Sequence, residues 1–273
     1  MWRNLGSIAA PAVEHLGGAA LKVIFIVGMA GSGKSLLTAS LQEWLRLRGQ
    51  NVVVLNADPG AQNLPYTADV DVRTYVDIEN LMLQYRLGPN GALIMATDLV
   101  GEHIEEIEDE IDESGTDLLL VDTPGQMELF AFREGGPFIS QALGSEEKAV
   151  LYLLDSPFCR NPLNYVSNMF IATAIYSRLN LPQVYALTKT DLISPEELQE
   201  ILMRSESLDS LESAIEMKLG KTSSIIIRDL ARSIEASGLE FDPVPVSAKD
   251  NVGLVDLYAE LTRVLTKGEE LTP

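Results

Sequence analysis

The chemistry this sequence offers is concentrated first in Gly28-Met29-Ala30-Gly31-Ser32-Gly33-Lys34-Ser35, directly behind the apolar run Val23–Val27. The segment fits G-x-x-x-x-G-K-[ST], a phosphate-binding loop set between a strand and a helix. Each residue type has a physical task. Gly28, Gly31 and Gly33 let the backbone bend so that successive N–H groups, that of Ser32 among them, point inward at a β-phosphate. Lys34 reaches the β/γ oxygens as a point charge, and the Ser35 hydroxyl is a hard oxygen suited to Mg²⁺. A nucleoside phosphate is the implied ligand.

Further motifs say which nucleotide and what happens to it. Asp122-Thr123-Pro124-Gly125-Gln126 follows the apolar run Leu118–Val121. An acid at such a strand end holds a Mg²⁺-bound water on a rigid support, so Asp122 joins Ser35 at the metal. The Gly125 N–H is placed to sense a γ-phosphate, and Gln126 beside it to orient an attacking water. Thr188-Lys189-Thr190-Asp191 closes another apolar run. In the related N-K-x-D pattern the carboxylate accepts from N1–H and the 2-amino group of guanine while the Lys stem packs on the ring. Adenine lacks that donor pair, and a carboxylate left unpaired against it costs affinity. Alone, the tetrapeptide also fits a turn in which Asp191 caps a helix. Val246-Ser247-Ala248-Lys249 supplies a loop whose backbone N–H meets the guanine carbonyl, at Ser247 and Ala248. Together these motifs favour GTP over ATP. Asn56-Ala57-Asp58-Pro59-Gly60 ends a strand next to the P-loop unit, which turns the Asp58 carboxylate toward the nucleotide across a sheet crevice.

Something must hold these loops at one edge. Besides the strand before the P-loop, continuous apolar runs predict strands at Val52–Asn56, Leu118–Asp122, Ala149–Asp155, Gln183–Thr188 and Pro243–Val246. Helical patterns at Lys34–Leu47, Pro162–Leu179 and Asn251–Thr266 alternate with them. The first carries Leu37, Leu41, Trp44 and Leu45 on one stripe, the last Leu254, Leu257, Tyr258, Leu261 and Leu265. This alternation predicts a three-layer α/β fold with a mainly parallel, doubly wound sheet and active loops at the strands' carboxyl ends. Two helical insertions interrupt it. Residues 66–116 contain a helix around Tyr75–Leu87, a break at Gly88-Pro89-Asn90-Gly91 and a second helix through Ser114. Residues 194–240 contain two or three helices rich in Glu. The acids between Glu102 and Glu113 read as a solvated helix face. The expected domain runs over residues 21–268, with a loose extension over 1–20 and a tail over 269–273.

Composition narrows the partners. With 46% hydrophobic and 22% charged residues, the 273-residue chain has an ordinary globular composition. Forty acids against 20 bases leave a net charge of −20, which opposes binding to bare nucleic acid or an anionic membrane. Cys159 is the single cysteine, so no intrachain disulfide forms. No apolar run reaches membrane-spanning length, and Pro11, Glu14 and His15 interrupt any leader-like segment. A cytoplasmic protein is expected.

The motif order resembles the GPN-loop GTPases over residues 21–266. The P-loop, N-x-D-P, D-T-P-G-Q-x-E, [NT]-K-x-D and S-A appear in family order, with Gly88-Pro89-Asn90 between two helices of the first insertion. The wider likeness is to dimeric P-loop NTPases, many of which carry a lysine after the first P-loop glycine; here that residue is Met29. The resemblance implies a dimer, of the archaeal homodimeric type, in which Gly88, Pro89 and Asn90 enter the partner's nucleotide site. It implies that Asn90 acts in trans near the γ-phosphate or the released phosphate. Asp58, Gln126 and Glu128 would position the attacking water, with Lys34 at the phosphates and Asp122 and Ser35 around Mg²⁺. By analogy it also implies a nucleotide-gated role with a protein client, such as components of RNA polymerase assembly. Gly60 stands where alanine is more usual. Thr188 replaces asparagine and leaves only a hydroxyl to tether the base-reading loop to the P-loop. A nucleotide or metabolite kinase, or a non-catalytic GTP-binding scaffold, are the alternatives. Arg73 and Arg133 are candidate transition-state cations whose simpler reading is a salt bridge.

Overall fold

A computed structural model describes residues 20–133, 135–144 and 147–266. The expected tail at 269–273 and, except for Ala20, the expected extension at 1–20 lie outside the described residues. In chain order the elements are β1 (Lys22–Gly28), α1 (Lys34–Arg46), β2 (Val52–Asn56), β3 (Val70–Asp71), α2 (Ile78–Tyr85), α3 (Pro89–Val100), α4 (Ile104–Glu113), β4 (Leu118–Asp122), α5 (Met127–Ala131) and α6 (Gly135–Ala142). They continue with β5 (Lys148–Asp155), α7 (Ser156–Cys159), α8 (Pro162–Leu179), β6 (Gln183–Thr188), α9 (Pro195–Glu206), α10 (Leu208–Leu219), α11 (Ile225–Ala236), β7 (Val244–Pro245) and α12 (Leu254–Leu265).

Seven strands form one sheet in the order β3-β2-β4-β1-β5-β6-β7, and every strand pair is parallel. The central strand shows why the apolar runs are continuous. Val23, Phe25 and Val27 face one core, while Ile24 and Ile26 face the other. Each side chain is fully buried, a gain of about 1.5–3 kcal/mol apiece for such residues. On one side Leu37, Leu41 and Leu45 of α1 pack with Leu254, Leu257, Leu261 and Leu265 of α12. The remaining helices, both insertions included, cover the opposite face. That is the three-layer, doubly wound α/β architecture expected from the alternation of strand and helix.

The local differences have physical causes. The expected strand Pro243–Val246 shortens to β7 because its prolines lack N–H donors, which suits only an edge. In the first insertion the break is narrower than expected. Arg86, at φ 54°, ends α2, and Gly88 is the extended N-cap of α3. Pro89 takes the first helical position, where a fixed φ and a missing N–H cost nothing, so Asn90 already lies in the first turn. The helix predicted beyond it is divided by a short 3₁₀ turn at 101–103 into α3 and α4. Ile104, Ile107 and Ile111 bury one face of α4 and leave most of its acids exposed. The short elements β3, α5, α6 and α7 have too few residues to show a period and were not anticipated from the sequence.

Candidate functional site

The P-loop leaves β1 at the point where the sheet order reverses direction, between β4 and β5. Gly33 is the N-cap of α1 at φ 95°, a left-handed conformation that an L side chain resists. It places no side chain over the helix end, so the first N–H groups of α1 remain open to an anion. A Cβ on Gly28 would stand 2.7 Å from Ser32 Oγ and 3.0 Å from Leu153 Cβ, so only glycine preserves the floor of the loop. Lys34 folds back into this cradle and donates to the carbonyls of Gly28 at 3.0 Å and Met29 at 3.3 Å. Burial lowers its pKa, against the opposing pull of Asp122 and Asp58.

Asp122 ends β4 almost fully buried. Desolvation pushes its carboxyl up, and the Ser35 hydroxyl, Tyr66 and Lys34 favour the ionised form. The Tyr66 hydroxyl donates to Asp122 Oδ2 at 2.8 Å, which raises the phenol's own pKa through burial and the adjacent carboxylate. Asp122 Oδ1 and Ser32 Oγ are buried with no hydrogen-bond partner among the described residues. A buried acid with one oxygen uncommitted and the Ser35 hydroxyl against it is a donor set that fits Mg²⁺ with its waters. Asp122 and Ser35 would hold that ion.

Asp58 lies on the turn after β2. Asn56, fully buried, fixes the turn: its Oδ1 accepts the Asp58 N–H at 3.1 Å, and its Nδ2 donates to Asp71 Oδ1 at 2.9 Å. Arg73 clasps Asp71 and donates to the Ala61 carbonyl at 2.7 Å. The Asp58 carboxylate accepts the Gly60 N–H at 2.8 Å and, across to the loop after β4, the Gly125 N–H at 3.1 Å. Thr123 ties that second loop to β1 by donating to the Ile26 carbonyl at 2.7 Å. Gln126 and Glu128 are exposed just beyond. Arg133 pairs with Asp98 at 2.8 Å, so both candidate arginines are held in ion pairs. Gly88, Pro89 and Asn90 are exposed at the start of α3. One turn on, Leu93 packs against Gly60, where an added Cβ would come within 2.8 Å of Leu93 Cδ1.

On the other side of the P-loop, β6 delivers Thr188, Lys189 and Asp191. The buried Thr188 hydroxyl donates to the Ser32 carbonyl at 2.8 Å and lies 3.2 Å from the Leu154 carbonyl. The T-K-T-D loop is therefore tied to the P-loop even without asparagine. Ser247 Oγ stands 3.1 Å from Asp191 Oδ1, which joins the T-K-T-D turn to the S-A-K loop. Ser40 of α1 donates to the Ala248 carbonyl at 2.7 Å and secures that loop to the P-loop helix. Gly253 closes it at φ 81°, where a Cβ would fall 2.1 Å from the Pro245 carbonyl oxygen.

Sequence reasoning gave no role to Tyr66, Asp71, Asp155 and Ser156, and quoted Asn56 only as the first residue of the N-x-D-P segment. Each acts through a neighbour. The one available signal was position, because Asn56 and Asp155 are polar residues ending otherwise apolar strands.

The chain is similar to known proteins in sequence and in overall fold. A family model described as "Conserved hypothetical ATP binding protein" matches residues 26–267. GPN-loop GTPase 1 of Dictyostelium discoideum is 29% identical over 241 residues, 87% of this chain and 60% of the relative. GPN-loop GTPase QQT2 of Arabidopsis thaliana is 33% identical over 236 residues, 84% of this chain and 60% of its own. The chain thus spans about three fifths of the length of those two relatives. A GPN-loop GTPase of Pyrococcus abyssi is 34% identical over 197 residues, 71% of this chain and 78% of its own. The crystal structure of a Pyrococcus abyssi GTPase in apo form matches with a TM-score of 0.80 at 30% identity, over 90% of this chain and 98% of that one.

Proposed function

The chain belongs to the GPN-loop GTPase family, and on that premise we propose that it binds GTP with Mg²⁺ and hydrolyses it to GDP and phosphate as a dimer. The observation that most directly supports guanine is the 3.1 Å approach of Ser247 to Asp191, which aims the acid of one base loop into the other. The family model's description speaks of ATP, whereas the curated relatives are named GTPases. Chemistry favours the second: a carboxylate in that place pairs with the N1–H and 2-amino donors of guanine and is left unpaired by adenine.

The residues divide the reaction among themselves. The N–H groups of Gly31 and Gly33 and the Lys34 ammonium cradle the phosphates, joined by the Ser32 N–H once it leaves the Met29 carbonyl to which it donates at 3.0 Å. Mg²⁺, held through Ser35 and Asp122, would supply neutralisation of the β/γ charge. Asp58 changes partners: the Gly125 N–H that now donates to its Oδ2 is the group suited to a γ-phosphate oxygen. Once that N–H turns to phosphate, Asp58 is free to accept from the attacking water alongside Gln126 and Glu128. Asn90, exposed on the rim of α3, serves the partner's site in the dimer. The hydrolysis cycle then acts as a nucleotide-gated switch on a protein client, in the manner of an assembly factor. No helix among the described residues is long and apolar enough to cross a membrane; a cytoplasmic place of work is part of the same proposal.

Phosphate release with GTP and with ATP, measured across protein concentrations and with candidate acceptors, tests this reading. Phosphate from GTP alone, with a specific rate that rises as dimer forms, is expected. Phosphate transfer to an acceptor would establish a kinase instead, and no release at any concentration would leave a scaffold.

A further inference from the structure

The base-reading loop owes its shape to two residues that belong to no nucleotide motif. β5 ends at Asp155, level with Thr188 at the end of β6, so the side chains beyond both strands meet at one edge of the sheet. The Asp155 carboxylate is itself fixed: Oδ1 accepts the Phe158 N–H at 3.1 Å and caps α7. Its other oxygen accepts from Lys189 Nζ at 2.6 Å, a pair that is largely withdrawn from solvent. The next residue, Ser156, is fully buried and donates to the Lys189 carbonyl at 2.9 Å. Lys189 is thus held at both its side-chain end and its backbone.

That double restraint accounts for an uncommon backbone. Lys189 sits at φ 59°, ψ 37°, a left-handed conformation that a non-glycine residue keeps only when its surroundings over-determine it. The consequence is a placed methylene chain. Lys189 Cε lies 3.8 Å from where a Cβ on Gly33 would stand, so the stem crosses the P-loop at the mouth of the phosphate cradle. A free lysine would sample many rotamers there and would have to be ordered by each incoming nucleotide.

We propose that Asp155, backed by Ser156, is a positioning residue for nucleotide recognition: it holds the Lys189 stem as a pre-formed platform for the purine ring. This rests on the reading of residues 188–191 as a guanine-binding loop. The ammonium points away from the ring toward Asp155, and the methylenes present an apolar face to the base. The role is distinct from that of Asp191, which reads donors on the ring edge. Asp155 acts on affinity through pre-organisation and takes no part in phosphoryl transfer.

The test is a double-mutant cycle on the full chain, read by GDP and GTP binding and by steady-state hydrolysis. Asp155→Asn keeps an acceptor for the Phe158 N–H and removes the charge that holds Lys189. It is expected to raise the GDP dissociation constant and KM for GTP by about 10-fold, with kcat unchanged within about twofold. Lys189→Met keeps most of the stem and has no charge to be held. In that background Asp155→Asn is expected to add nothing, which is the coupling a platform requires. Lys189→Met also leaves the α7 cap intact, so it separates loss of the platform from loss of fold. Full additivity of the two substitutions, or unchanged GDP binding in Asp155→Asn, would overturn the platform and leave the guanine reading standing. If the unaltered protein bound ATP in preference to guanine nucleotides, that reading itself would fall, and the platform with it.

Discussion

The two sides of the P-loop are built in opposite ways. On the base-reading side the polar groups are already engaged: Thr188 with the Ser32 carbonyl, Ser40 with the Ala248 carbonyl, Ser247 with Asp191, and Asp155 and Ser156 with Lys189. On the hydrolysis side they are provisional. Asp58 is spent on the Gly125 N–H, Lys34 on loop carbonyls, and Asp122 Oδ1 on nothing among the described residues. Gln126, Glu128 and Asn90 stand exposed. On the proposed function, base recognition is pre-organised, so nucleotide binding would order little there, whereas chemistry would wait for contacts that γ-phosphate, metal and a second subunit complete. That asymmetry suits a switch, because GTP and GDP present the same base and differ only where the protein is unfinished.

The largest effect that separates the two sides is expected at Gln126. Gln126→Ala removes the exposed side chain proposed to meet the reacting water. We expect kcat for GTP to fall by about 10²–10³-fold, with GDP affinity within about twofold of the parent. Single-turnover phosphate release alongside GDP binding measures both. A variant with weakened GDP binding and undiminished kcat would place Gln126 on the recognition side and break the comparison.

The converse is expected at Thr188. Thr188→Val keeps the shape and removes the hydroxyl that joins two buried carbonyls, at a cost of about 1–3 kcal/mol for buried groups left without a donor. Because the tether links base loop to P-loop, the loss should appear as an approximately tenfold rise in the GDP dissociation constant, together with a lower melting temperature. The kcat at saturating GTP should hold. A fall in kcat with unchanged affinity would show that the base side also steers chemistry.

The same asymmetry explains how much of the molecule was legible in its sequence. Apolar runs buried on both faces announce strands, and motif glycines announce a cradle, so all six predicted strands, the last one shortened, and the sheet's parallel sense follow directly from residue types. Gly88-Pro89-Asn90 read as a break because glycine and proline stop helices in the interior. At N-cap and first turn they start one, a distinction that depends on position rather than composition. The Thr188 tether was foreseeable as a hydroxyl yet not as a bond, since its acceptor lies 156 residues away. The roles of Asp155 and Tyr66 were hidden for the same reason: each gains meaning only from a partner brought near by folding.

Tyr66 provides the smallest and sharpest of these tests. Its hydroxyl is the fixed donor to Asp122 Oδ2, and that hold leaves Oδ1 as the oxygen uncommitted in the cradle. Tyr66→Phe keeps the ring, which packs at the edge of the core shared by α1 and α12, and deletes only the donor. Without it the buried carboxylate is free to turn toward Lys34 or Ser35, so part of the metal's binding energy is spent reorienting its ligand. Partners of this outer kind change metal affinity by about 10–100-fold, and a single hydrogen bond to one carboxylate oxygen belongs at the low end. We therefore expect the Mg²⁺ concentration that half-restores tight GDP retention to rise by about 10-fold, with retention in EDTA within about twofold of the parent because the hydroxyl touches Asp122 and not the nucleotide. Base preference should be untouched, since Asp191 and Ser247 lie across the P-loop on the finished side. If Tyr66→Phe altered the preference for guanine, the two sides would be coupled through the P-loop, and the division between recognition and chemistry would have to be redrawn along it.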